Sequence, residues 1–197
     1  QAYEHLKEYD SDVLRQGKDL GGWGCKFAGE GADDAGGPYR ESLTMMCQEL
    51  QNFVIDKPKR RMRIALLPLL RPTNNNLNDE GSFRDCYTLN AAARSDEQLE
   101  MIRFLGRLLG VAIRTKDYLD LCLAPEFWAN IVNDRPNSLR DLATSDVFTV
   151  REIIREVLRL TRGGHGSSLE NLELNFVAAT SDGRDVPLKR GGESIRV

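Results

Sequence analysis

Apolar positions recur with helical spacing over much of the chain and with alternating spacing near its end. Tyr39, Leu43, Met46, Leu50 and Phe53 follow one another at steps of four and three, which predicts one face of a helix running from Pro38 to about residue 53. Pro38 suits the first helical position, where its missing N–H costs nothing. Ser95 opens the clearest helix, expected to reach about Arg114. Gln98 completes a capping box, while Asp96 and Glu97 complement the positive end of the helix dipole.

The apolar positions of this helix include Leu99, Ile102, Leu105, Leu109 and Ile113, and Gly106 and Gly110 lie one turn apart. Two glycines in a helix interior cost on the order of 1 kcal/mol each, so close approach of another backbone is the expected compensation. Residues 1–16 read as a surface helix closed by Gly17, and a shorter helix is expected over Glu126–Val132 after Pro125. A further helix is predicted from Thr149, with Glu152 completing a second capping box and Val150, Ile153, Ile154, Val157 and Leu158 as its stripe. With Leu160 this stripe covers roughly 160°, more than the roughly 100° a surface helix needs to meet a core. Either the helix is buried on two sides or part of the face is spare for a partner.

Strand periodicity is confined to the end, where Leu172, Leu174 and Phe176 alternate with Glu173 and Asn175. Asp182-Gly183 is a hairpin turn signal, and Pro187 in the returning segment fits an edge strand. Asp56 to Arg63 is a polar and basic segment, and the Asn-rich stretch at 73–78 reads as a loop. The fold class expected from this pattern is α+β, mostly helical, with no internal repeat.

Composition narrows the picture. The 197 residues are 41% apolar and 29% charged, and carry a net charge of −3, enough for a real core without disulfides or metal. That balance is a poor global match to nucleic acid. The longest apolar run, Ile64 to Leu70, is interrupted by Pro68 and is far short of a membrane span. The first residues lack the basic-then-apolar order of a secretory signal. The four cysteines are widely spaced and are expected to be reduced thiols in a cytosolic or nuclear protein.

Candidate chemistry is sparse. The loop GEGADDAGG (29–37) is too acidic for a phosphate loop and lacks a following lysine; it also lacks the alternate oxygen ligands of a calcium loop. A structural role fits better, with Gly36 and Gly37 serving backbone geometry. The cationic run KPKRRMR (57–63) has no interleaved aromatic residue to stack on bases and reads as a solvated loop. Neither His5 nor His165 stands in a context that would hold a cysteine as thiolate, which argues against a cysteine hydrolase. No catalytic, cofactor-binding or metal-binding residue is assigned.

Four segments taken together resemble the HECT ubiquitin-ligase domain, and their wording is nearest to its large HERC-type members. They are WGCKFAGEGADDAGGPYRES (23–42), ALLPLLRPTNNN (65–76), QLEMIRFLGRLLGVAIRTKDYLDLCLAPEFW (98–128) and VPLKRGGESIRV (186–197), in the family's order. The resemblance implies a two-part N-terminal lobe: residues 1–117 in a large helical part, and 118–197 in a smaller helix-plus-hairpin part that docks a ubiquitin-conjugating enzyme. By the same resemblance the docking groove falls on Val150, Ile154, Val157, Leu160, Leu172 and Leu174. Ubiquitin, carried as a thioester, would pass to a cysteine on a C-terminal lobe and then to lysines of protein substrates. None of the four cysteines matches that nucleophile, so the expectation is of a ligase fragment that binds and does not itself catalyse. The alternative from another class is a catalytically dead interaction module that has kept the shape.

Overall fold

A computed structural model describes residues 2–9, 11–14, 23–29, 36–51, 53–56, 61–64, 67–132, 138–162, 175–180 and 183–196. The fold is α+β and mostly helical, and it divides into two compact units. The first comprises Gln1–Arg71 and Ala93–Leu121, the second Pro72–Ala92 and Cys122–Val197. The chain therefore crosses between units more than once, where the sequence suggested a single boundary after residue 117. The reason is local pairing: Tyr87 donates its N–H to the Cys122 carbonyl (2.7 Å) and accepts from the Ala124 N–H (2.9 Å), a parallel bridge that joins 72–92 to the segment after 121.

In the first unit, the expected N-terminal helix is two short ones, α1 (Ala2–Leu6) and α2 (Ser11–Leu14), with a turn between them. Gly36, at φ 96°, precedes α3 (Gly37–Leu50), a conformation open to glycine at little cost. Helix α3 buries Tyr39, Leu43, Cys47 and Leu50. It stops at Gln51, whose N–H reaches back to the Cys47 and Gln48 carbonyls, so Phe53 is not helical. Instead Phe53 opens strand β1 (Phe53–Asp56), antiparallel to β2 (Arg61–Ile64) in a register that sets Phe53 opposite Ile64 and Asp56 opposite Arg61. The cationic run read as a solvated loop thus supplies three residues of a hairpin strand, a segment in which Met62 and Ile64 alternate with Arg61 and Arg63. Lys57–Arg60 lie outside the described residues.

Helix α5 (Asp96–Thr115) has the predicted capping box: Gln98 N–H donates to Ser95 Oγ (3.2 Å), and Gln98 Oε1 accepts from Ser95 N–H (3.1 Å). Of its apolar positions only some face inward. Phe104, Leu105, Leu108, Val111 and Ala112 are buried, whereas Leu99 and Ile113 are exposed. This helix is apolar on most of its circumference, so spacing alone does not choose the inward side. Nor, among the described residues, does another backbone approach its glycines: beyond the helix itself, a Cβ at Gly106 or Gly110 would meet none of their atoms within 4 Å.

The core of this unit joins Leu6, Tyr39, Leu43, Phe104 and Leu108, with Tyr3, Trp23, Met46 and Leu119 packed against them. Edge-to-face ring contacts, Trp23 on Tyr39 at 4.9 Å and Tyr3 on Phe104 at 5.4 Å, fix the aromatic geometry. The Tyr39 hydroxyl is buried with no hydrogen-bond partner among the described residues.

The second unit begins at Pro72, the last residue of β3 (Leu70–Pro72), and contains α4 (Asn74–Asn78), β4 (Tyr87–Leu89), α6 (Pro125–Val132), α7 (Leu139–Leu142), the helix over 147–162, and a C-terminal hairpin. Strands β5 (Val177–Ala179) and β6 (Asp185–Pro187) pair antiparallel with Ala178 opposite Val186, and Gly183 at φ 79° turns the chain between them. The hairpin signal and the edge position of Pro187 are both as read from sequence. Residues 171–174, where the alternating pattern begins, lie outside the described residues.

Candidate docking surface

The helix over 147–162 starts earlier than its sequence suggested. Asp146, not Thr149, caps it: the Asp146 carboxylate accepts the Thr149 N–H (2.9 Å) and the Thr149 hydroxyl (2.7 Å). The pattern Asp-x-x-Thr carries that signal. Thr149–Ile154 then form a π-helical turn, closed where the Arg155 N–H donates to the Val150 carbonyl five residues back, and α8 (Arg155–Arg162) continues as an ordinary helix. Such widened turns are rare and change the direction in which the side chains of one turn project.

The start of this helix is held by Asn75, which is 1% exposed. Its Oδ1 accepts the Val147 N–H (2.8 Å), and its Nδ2 donates to the carbonyls of Ser82 (2.9 Å) and Ala143 (3.0 Å). Its backbone N–H donates to the Ser145 carbonyl (2.9 Å), and its own carbonyl accepts the Glu80 N–H (3.1 Å). One buried amide thus meets three backbone groups, with both of its N–H donors and its oxygen engaged. Gly81, at φ 72°, leaves room for this arrangement, since a Cβ there would lie 2.8 Å from Val147 Cγ1 and 3.1 Å from Asn75 Nδ2. Thr73 caps α4 by accepting the Asn76 N–H (3.2 Å). The stretch read as an Asn-rich loop is therefore a short helix that anchors the candidate surface. The sequence signal was Thr-Asn-Asn-Asn, a cap followed by amides able to bond backbone.

Of the residues assigned to docking, Val150, Ile154 and Val157 sit at successive turns and are all half-buried. Leu172, Leu174 and the side chain of Leu160 lie outside the described residues. No residue over 149–159 is fully buried, and beside the stripe Phe148 and Ile153 are 49% and 52% exposed. These two were not singled out for docking from sequence. The polar side is rich in charge: Arg159 makes a two-point contact with Glu156 (2.9 and 2.7 Å), and Arg151 pairs with Glu80 (3.5 Å) and with Glu152.

What the site offers is apolar contact with a charged border, suited to binding. Burial pushes the Cys47 and Cys86 thiols up to about 11, so both stay protonated at neutral pH. Among the described residues no group of three His, Cys, Asp or Glu is placed to hold a metal ion, and no described helix is long and apolar enough to cross a membrane.

Comparison with known proteins matches residues 57–197 to the HECT-domain (ubiquitin-transferase) family model. The chain is 36% identical over 168 residues to the E3 ubiquitin-protein ligase HERC2 of Mus musculus, and equally so to that of Homo sapiens, with 84% of this chain covered. It is 32% identical over 124 residues, 63% of this chain, to the human protein named "Probable E3 ubiquitin-protein ligase HECTD4". In each case the match takes up 3% of the relative's length.

Proposed function

The chain belongs to the HECT ubiquitin-transferase family, and on that premise we propose that it is part of a HECT-type ubiquitin ligase that recruits a ubiquitin-loaded conjugating enzyme. The observation that carries this reading is the helix over 147–162, firmly anchored at its start by Asn75 and Asp146 yet without one fully buried residue over 149–159. Transthiolation exchanges one thioester for another and is nearly balanced, so the protein's task is to bring two sulfurs together. A docking helix supplies that proximity without acid or base. A small apolar contact also releases its partner quickly after each transfer. Ubiquitin then passes to a cysteine on a C-terminal lobe and from there to a substrate lysine, in the cytosol or nucleus.

The test is a binding titration with conjugating enzyme on Ile154→Asp and Val157→Asp, beside Arg155→Asp on the polar side. Each apolar-to-charged change is expected to weaken binding by about 2 kcal/mol, roughly 30-fold, while the melting temperature stays close to wild type. Intact binding in both, or unfolding of both through a desolvated carboxylate, removes these residues from the docking face.

A further inference from the structure

Cys86 and Cys122 are far apart in the sequence and stand side by side in the second unit. Tyr87 and Leu123 pair in a parallel bridge, fastened by the Tyr87 N–H on the Cys122 carbonyl and the Ala124 N–H on the Tyr87 carbonyl. Residues in register across a parallel pair turn their side chains to the same face, and Cys86 and Cys122 are the neighbours immediately before that bridge. Neighbouring strands run about 5 Å apart, within the Cα separation that a disulfide spans. The thiols agree with this placement. Cys86 Sγ donates to Asp85 Oδ1 and Cys122 Sγ donates to Asp85 Oδ2, each at 3.9 Å, so one carboxylate gathers both sulfurs.

The two differ in access: Cys86 is buried, whereas Cys122 is half-buried and open to a small reagent. Burial, and after it the negative charge of Asp85, keeps the Cys86 thiol protonated at neutral pH, which makes it a slow nucleophile toward anything in solution. A sulfur already held beside its target meets a far higher effective concentration, and this offsets the small thiolate fraction. Cys25 and Cys47 belong to the first unit.

We propose that Cys86 and Cys122 are a reversible oxidation site, joined as an intramolecular disulfide by a low-molecular-weight disulfide such as oxidised glutathione. Cys122, as thiolate, attacks one sulfur of the oxidant. The oxidant's S–S bond breaks, and one glutathione leaves with the proton that Cys122 gave up. Cys86, as thiolate, then attacks the Cys122 sulfur, the bond to glutathione breaks, and the second glutathione leaves with the proton from Cys86. Two protein thiols are oxidised and one glutathione disulfide is reduced to two thiols. The Cys86 carbonyl also accepts the Thr73 N–H (3.1 Å) and the Asn76 side-chain amide (3.2 Å). The new bond therefore fastens the segment after 121 to the base of α4, which anchors the helix over 147–162. The inference stands whether or not a conjugating enzyme docks on that helix.

The experiment incubates the whole chain with oxidised glutathione at neutral pH and reads it by intact mass and by peptide mapping without reductant. The expected product has lost two hydrogens and yields a peptide linking Cys86 to Cys122, and dithiothreitol reverses both. Cys86→Ala is expected to stop at a glutathione adduct on Cys122. In Cys122→Ser, Cys86 should react at least about tenfold more slowly than Cys122 does in the wild type. The linked form should melt about 5 °C above the reduced form, because the bond closes a long loop of the unfolded chain. A glutathione adduct that persists on Cys122 of the wild type, or a bond between any other pair, overturns the proposal. So do two thiols left unmodified by an amount of oxidant that fully modifies the urea-unfolded chain, or Cys86 reacting as fast in Cys122→Ser. A linked form that melts below the reduced one also overturns it, since the sulfurs would then be forced together and not placed together.

Discussion

At Gly192 an added methyl would lie far inside van der Waals contact distance of the Phe176 carbonyl oxygen, in a corner where backbone meets backbone and nothing can swing away. That corner is tied by hydrogen bonds from the Phe176 N–H to the Gly192 carbonyl (3.0 Å) and from the Leu188 N–H to the Phe176 carbonyl (2.8 Å). Gly192→Ala is accordingly expected to lower stability by about 3 kcal/mol in a denaturant titration, against little change for the open Gly24→Ala. Glu126 supplies a second test at this scale. Burial raises its carboxyl above the ordinary 4.5, while hydrogen bonds from Ser145 and Thr144 pull the other way. A carboxyl raised in the folded state contributes fully below its unfolded value and loses that contribution as pH rises through its folded value. Glu126→Gln should therefore be more stable than wild type at pH 7, with the gap closing as pH falls toward 4. A gap that widens on acidification would show that the carboxylate, not the acid, is the favoured form.

The elements show which sequence signals are sufficient and which are not. Ser95-x-x-Gln98 fixed the start of α5 correctly because a capping box is a local bond pattern that needs nothing distant. The inward face of the same helix was not legible from spacing, because apolar residues surround most of it and the choice is made by Leu6, Tyr39 and Leu43 far along the chain. Thr149 resembled a cap, yet Asp146 takes that place because its carboxylate also accepts an Asn74 amide hydrogen bond at 2.6 Å, a partner some seventy residues away. For the helix over 147–162, the apolar stripe Val150, Ile153, Ile154, Val157 and Leu158 was legible from spacing, and the choice of Val150, Ile154 and Val157 for docking came from the family resemblance alone. Its anchoring by Asn75 was not legible, since a buried amide is recognised only by the three backbone groups it satisfies. Asn75→Ala would leave the Val147 N–H and two carbonyls without their partner, and a loss of about 3 kcal/mol is expected in thermal unfolding. The same variant should weaken binding of a conjugating enzyme even though Asn75 itself cannot touch one; unchanged stability would mean that the helix is held elsewhere.

On the scale of the whole chain, the proposed division of labour sets a docking element apart from the cysteine that accepts ubiquitin, which the family resemblance matches to none of Cys25, Cys47, Cys86 and Cys122. The two buried thiols at about 11 are poor acceptors at neutral pH. Incubated with activating enzyme, conjugating enzyme and ubiquitin, the chain is expected to form no reducible ubiquitin adduct; a thiol-sensitive band lost on mutating Cys25, Cys47, Cys86 or Cys122 would reverse that reading. The central claim is that recruitment occurs on the helix over 147–162. Hydrogen–deuterium exchange of the chain with and without ubiquitin-loaded conjugating enzyme tests it most directly, because backbone amides report contact without any mutation. The account predicts added protection over 147–162, with Gly37–Leu50 unchanged. Binding that protects other segments and leaves 147–162 exchanging at its free rate would contradict it.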